Sequence, residues 1–190
     1  MKLNKLIAIA TISLLSGGIS MAQKALNLED IVAGNIIQTK GIGSMTWLKD
    51  GERYSRLENN KQTGGTDIVA YQAKDNSREV IIPSSLLTDK STGKPIPARS
   101  ISWSADNEKI LIYNNTQRVW RYDTRGDYWV LNLKDGALRQ LGKGMPESSM
   151  MFAKFSPDGT RVAYVSNNNI YVEDIDSGKI TQLTKDGSDT

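Results

Sequence analysis

Three stretches, Trp47-Leu48-Lys49-Asp50-Gly51-Glu52-Arg53-Tyr54, Trp103-Ser104-Ala105-Asp106-Asn107-Glu108-Lys109-Ile110 and Phe155-Ser156-Pro157-Asp158-Gly159-Thr160-Arg161-Val162, carry one pattern. Each has an aromatic residue at the end of an apolar run, a polar turn built on Asp-Gly or Asp-Asn, and a charged residue opening the next run. Gly and Asn accept the positive φ of a tight turn, so each stretch reads as a β-hairpin. The aromatic positions recur at intervals of 56 and 52 residues.

A second hairpin follows each of the three. Leu133-Lys134-Asp135-Gly136-Ala137-Leu138-Arg139-Gln140-Leu141 lines up with Ile175-Asp176-Ser177-Gly178-Lys179-Ile180-Thr181-Gln182-Leu183, and more loosely with Ala73-Lys74-Asp75-Asn76-Ser77-Arg78-Glu79-Val80-Ile81. Two hairpins per unit make four strands per unit. In Asp127 to Leu133 the period of two places Trp129, Leu131 and Leu133 on one face. A four-stranded antiparallel unit repeating at this interval is the signature of a β-propeller blade. The fold expected is therefore all-β, a partial β-propeller of about three four-stranded antiparallel blades over residues 41–190. A β-sandwich has similar strand spacing, but the recurrent aromatic-Asp-Gly phase favours the propeller. Three blades leave open strand edges, since propellers usually close with four or more, so a longer parent protein is expected. Trp47, Trp103 and Trp129 are expected in blade cores rather than stacked on a ligand.

Residues 1–22 run from Lys2 and Lys5 through the apolar Leu6–Leu15 to Ser20-Met21-Ala22. That order reads as a secretory signal peptide, with an uncleaved N-terminal anchor as the alternative. Its apolar run is short for a bilayer span, and no Cys follows it to carry a lipid anchor. An exported protein, periplasmic or secreted, is expected, with no membrane attachment after cleavage. Residues 23–40 form a short N-terminal segment in which Ala25–Val32 offers a turn or two of amphipathic helix, Leu28, Ile31 and Val32 on one side.

Composition limits the chemistry. Without His or Cys, the chain has no Ser-His or Cys-His nucleophile pair, no disulfide and no His- or Cys-based zinc site. No catalytic residue, metal site or cofactor is expected. Asp50-Gly51 and Asp158-Gly159 lack the alternating oxygen ligands of a calcium loop and read as turns. The net charge of +3 falls to +1 without Lys2 and Lys5. The remaining cations are scattered, so no nucleic-acid partner is expected. Asn114-Asn115-Thr116 matches a glycosylation acceptor.

The run Thr116-Gln117-Arg118-Val119-Trp120-Arg121-Tyr122-Asp123-Thr124-Arg125-Gly126-Asp127-Tyr128-Trp129-Val130-Leu131 resembles the second or third propeller blade of bacterial dipeptidyl peptidase IV, in the prolyl oligopeptidase group of serine peptidases. Phe155–Val165 with Asn168-Asn169-Ile170-Tyr171-Val172 resembles the blade that follows. The resemblance implies an intact protein that removes N-terminal dipeptides with Pro, or less well Ala, in second place. It also implies an eight-bladed propeller covering a C-terminal α/β-hydrolase domain with the Ser-Asp-His triad, and homodimers of the full-length protein. Neither Gly-x-Ser-x-Gly nor His occurs here, so this chain alone is expected to be inactive. The family's Glu-Glu pair for the substrate amine would follow shortly after Thr190. One site residue carries over: Arg121, beside Trp120, as the arginine that hydrogen-bonds a substrate carbonyl or carboxylate. The other reading pairs Arg121 with Asp123 or Asp127. Arg118 and Arg125 are expected to be solvated or to brace the loop. A non-enzymatic exported propeller serving as an interaction scaffold is the alternative function.

Overall fold

The computed structural model describes Leu28, Val32, Gly41 and residues 43–189. The expected signal peptide lies outside the described residues. Leu28 and Val32 are helical and exposed, and the rest of the expected amphipathic turn, Ile31 included, also lies outside them.

From Gly43 onward three four-stranded antiparallel sheets follow one another. The first holds β1 (Met45–Trp47), β2 (Arg53–Asn59), β3 (Thr66–Gln72) and β4 (Arg78–Ile82). A 3₁₀ turn over Ser84–Leu87 and a small hairpin of β5 (Thr88–Asp89) and β6 (Lys94–Pro95) lead to the second. That sheet holds β7 (Ser100–Trp103), β8 (Lys109–Val119), β9 (Tyr122–Asn132) and β10 (Leu138–Gln140). The third holds β11 (Met151–Phe155), β12 (Arg161–Ser166), β13 (Asn169–Asp174) and β14 (Ile180–Gln182). In each, neighbours in sequence are neighbours in space, as in a propeller blade.

The turns form where the residues demanded them. Gly51, Asn107 and Gly159 close the first hairpins at φ of 70°, 60° and 67°, and Asn76, Gly136 and Gly178 close the second ones, also at positive φ. Aspartates fasten the first turns. Asp158 accepts from the Ser156 hydroxyl and the Thr160 amide and hydroxyl, and these hydrogen bonds hold its carboxyl down to about 2. Asp106 is held to about 2 by the Ser104 hydroxyl and the Glu108 amide. Asp50 accepts from the Glu52 and Arg53 amides and the Arg53 guanidinium. These carboxylates fasten the turns, as expected.

Blade 2 supplies both of the main cores. Ile110, Ile112, Trp129, Leu131 and Leu133 face blade 1, where they meet Leu57, Ile68 and Ile82. Leu111, Tyr128 and Val130 face blade 3, where they meet Ala153, Val162 and Tyr164. Alternation along β8 and β9 sends successive side chains to opposite faces, so one hairpin feeds two hydrophobic layers.

Polar bonds cross between blades. The Trp103 indole N–H donates to the Ser55 hydroxyl at 3.0 Å, and the Lys49 amide donates to the Asn107 side chain at 2.7 Å. Between blades 2 and 3, the buried Glu173 carboxylate accepts from the Gly142 amide at 2.8 Å and pairs with Arg139 at 3.4 Å, while within blade 3 it accepts from the Tyr164 hydroxyl at 3.2 Å.

One expectation needs correction. Trp103 and Trp129 pack against the core, but Trp47 is 56% exposed. Its phase is right: Trp103 faces blade 1 and Phe155 faces blade 2, so the same phase in β1 turns Trp47 away from blade 2. There it meets Tyr54 edge-on, and no sheet covers that face among the described residues. The acceptor of the glycosylation motif, Asn114, is buried in β8 and is out of reach of a glycosyl donor in the folded protein.

Candidate functional site

Strands β8 and β9 are 11 residues each, whereas their partners β7 and β10 have four and three. The surplus of the β8–β9 hairpin extends past the sheet as an arm. Its tip is the two-residue turn Trp120-Arg121 between the paired Val119 and Tyr122. Trp120 sits at φ 62°, the backbone that the first central residue of a II′ turn requires, and is 93% exposed. The Arg118 guanidinium donates to the Trp120 carbonyl at 3.2 Å, so Arg118 braces the loop as expected.

Arg121 is exposed at that tip. Neither expected carboxylate pairs with it. Asp123 pairs with Arg99 at 3.4 Å, and Asp127 is buried, accepting from the Ser148 amide at 2.8 Å and the Asn115 side chain at 2.7 Å. Among the described residues Arg121 makes no ion pair. Arg125 is also exposed, beside Ser149, Asn168 and Asp189.

The base of the arm is held from two sides. On one, the Asn115 amide group reaches both Asp127 and Glu147, and the Ser148 hydroxyl donates to the Asn115 carbonyl at 2.6 Å, so the loop before β11 clasps the hairpin. On the other, Tyr113 and Tyr128 face each other across the strands with rings 4.8 Å apart. The Tyr113 hydroxyl lies 2.8 Å from the Asp123 carbonyl and 2.9 Å from that of Arg125. Burial, with Tyr128 alongside, pushes this hydroxyl up to about 12, so it remains a donor at neutral pH. Burial also pushes Tyr128 up, partly offset by hydrogen bonds from the Ala153 and Phe152 amides of β11. Gly126 gives the stack room: a Cβ there would overlap the Tyr113 ring and the Asn114 carbonyl.

Beneath the arm lies a groove of about 270 Å³ between the first strands of blades 2 and 3, with Ser100, Tyr113, Asp123, Thr124, Phe152 and Lys154 in its walls. Phe152 stands where the pairing of β11 with β12 shifts between Met151 and Lys154. It has φ 56° and is 64% exposed. Sequence reasoning singled out Arg121 but missed Phe152 and the Tyr113–Tyr128 support. The alternation that fixed Trp129 would also have set Tyr128 on the opposite face, whereas nothing in Met151-Phe152-Ala153-Lys154 announces a bulge.

Residues 104–190 match the family model described as the dipeptidyl peptidase IV (DPP IV) N-terminal region. The probable dipeptidyl-aminopeptidase B of Aspergillus terreus is 25% identical over 181 residues, covering 90% of this chain and 20% of that protein. Its namesake in Neosartorya fischeri is 31% identical over 97 residues, covering 51% of this chain and 11% of the relative. The chain thus spans a fifth or less of these curated relatives. The crystal structure of Porphyromonas gingivalis dipeptidyl peptidase 4 superposes with a TM-score of 0.68 at 24% identity, over 87% of this chain and 22% of that one, which shows the shared fold. These matches favour a peptidase propeller over a non-enzymatic scaffold. With three blades in sequential order and the family match beginning at the first turn of the second, the chain has a propeller fold and is similar, over residues 104–190, to the N-terminal region of dipeptidyl peptidase IV.

Proposed function

We propose that in the full-length protein this segment admits and positions peptides for a serine-type dipeptidyl peptidase that releases N-terminal X-Pro dipeptides. Bond cleavage belongs to a C-terminal α/β-hydrolase domain of that protein, and Arg121 holds a carbonyl or carboxylate oxygen of the substrate. The observation that carries this reading is the exposed guanidinium, in no ion pair among the described residues, on an arm braced from both sides. A guanidinium is permanently charged and offers donors in a rigid fork. On a fixed support it fixes the register of a peptide, and register is what places the second residue's carbonyl against a nucleophile. Export to the periplasm or medium, and a homodimer of the full-length protein, belong to the same proposal. Fractionation and sedimentation test these two points.

The central test is kinetic. Full-length protein should cleave a Gly-Pro chromogenic amide, and Arg121→Ala should lower kcat/KM by about tenfold to a hundredfold, the worth of a charged hydrogen bond. Because the side chain lies in solvent, the thermal midpoint should not move. Unchanged kinetics would remove the role from Arg121.

A further inference from the structure

Of the eight non-glycine residues at positive φ among the described ones, five are Asn, which tolerates that backbone; only Trp120 and Phe152 are aromatic. For a bulky side chain this conformation is unfavourable by about 1–3 kcal/mol and persists only where the surroundings impose it. At Phe152 it falls in the bulge where the pairing of β11 with β12 shifts between Met151 and Lys154, beside Tyr128 in the groove wall. The strain secures no burial in return, since the Phe152 ring is 64% exposed in the groove wall. A bulge re-aims a side chain, and here it aims an apolar ring at a groove whose other wall, Asp123 and Thr124, descends directly from the Trp120-Arg121 turn.

We infer that Phe152 is a substrate-contact residue, an aromatic platform for the part of a peptide substrate that lies beyond the dipeptide to be released. This rests on the proposed function. Three features select a peptide as the occupant. The groove is continuous with the arm that carries Arg121. Its polar wall groups, Ser100, Thr124 and Lys154, suit main-chain amides and carboxylates. Lys154 is exposed and in no ion pair among the described residues, which leaves a cation beside the ring for a peptide's carboxylate. The wall is also shared: the Tyr113 hydroxyl holds the arm's Asp123 and Arg125 carbonyls, and the stacked Tyr113 and Tyr128 rings line the groove together with Phe152.

The experiment uses the full-length protein with two substrates, a Gly-Pro chromogenic amide and a Gly-Pro-led pentapeptide. The variant is Phe152→Gly, since glycine accepts φ 56° freely and the fold is spared. KM for the pentapeptide should rise about fivefold, the scale of one aromatic contact, while kcat/KM for the amide stays within about twofold. The thermal midpoint should hold or rise, and Phe152→Tyr should keep the wild-type pentapeptide KM. A lower midpoint with an unchanged ratio of the two substrates would mark a structural residue and overturn the inference while leaving the Arg121 reading intact. Wild-type protein that cleaves neither substrate would overturn both.

Discussion

The Gly142 amide of blade 2 donates at 2.8 Å to the carboxylate of Glu173 in blade 3, and Glu173 is 2% exposed. One acid thereby joins two sheets, since it also takes the Tyr164 hydroxyl and faces Arg139. Removing one partner of such a set leaves buried donors without acceptors, a loss larger than the bonds themselves. Glu173→Ala should lower stability by about 3 kcal/mol, and Glu173→Gln, which keeps one acceptor oxygen, by less. Urea denaturation followed by tryptophan fluorescence reads both; equal stability of the Ala variant would refute the joint.

Gly126 is buried where β9 enters the arm, against the Tyr113 ring. An added methyl has no space there, and overpacking of this kind is destabilising by about 1–3 kcal/mol. Gly126→Ala should lose stability in that range and disturb the Tyr113–Tyr128 stack. Near-ultraviolet circular dichroism would report the stack, and an unaltered spectrum would contradict the packing described.

Trp120 holds a II′-turn backbone for which glycine is the natural choice, while its side chain is in solvent. Strain relief outweighs the extra chain entropy of glycine, so Trp120→Gly should stabilise by about 1 kcal/mol. A stability loss would mean that the indole packs on something.

Asp106 and Asp158 each have a folded carboxyl at about 2, against 3.8 without the turn. Between these values the unfolded chain binds more protons than the folded one, so stability rises with pH there. The contribution is complete above about pH 5 and is lost progressively as pH falls to 2. Thermal midpoints from pH 5 down to 2 should drop, and the double variant Asp106→Asn, Asp158→Asn should show a shallower fall. A parallel fall would assign the acid lability elsewhere.

The readable parts of this fold are those set by local periods. Asp-Gly and Asp-Asn turns need positive φ, and the strand Tyr128 to Leu131 alternates between two faces, so strand count, hairpin order and inward residues all follow from neighbours in sequence. Trp47 shows the limit. Its phase was legible, but burial depends on which sheet lies against that phase, and no local pattern states that. The small β5–β6 hairpin went unnoticed although Asp89-Lys90-Ser91-Thr92-Gly93 has turn chemistry, with Asp89 accepting from Ser91 and Thr92. Arg121 was reached through resemblance to a family, because an exposed arginine at a loop tip has no periodicity to betray it. Phe152 was missed because a register shift between Met151 and Lys154 leaves no trace in the local apolar pattern.

Blade 2 contributes alternate residues of one hairpin to two separate cores, and this constrains how the protein tolerates length change. Deleting a single residue within β9 would exchange the occupants of both layers at once, sending Tyr128 and Val130 where Trp129 and Leu131 belong. Length changes should therefore be tolerated only at the joints between sheets and at the free end of the arm, where neither hydrophobic layer reads the register.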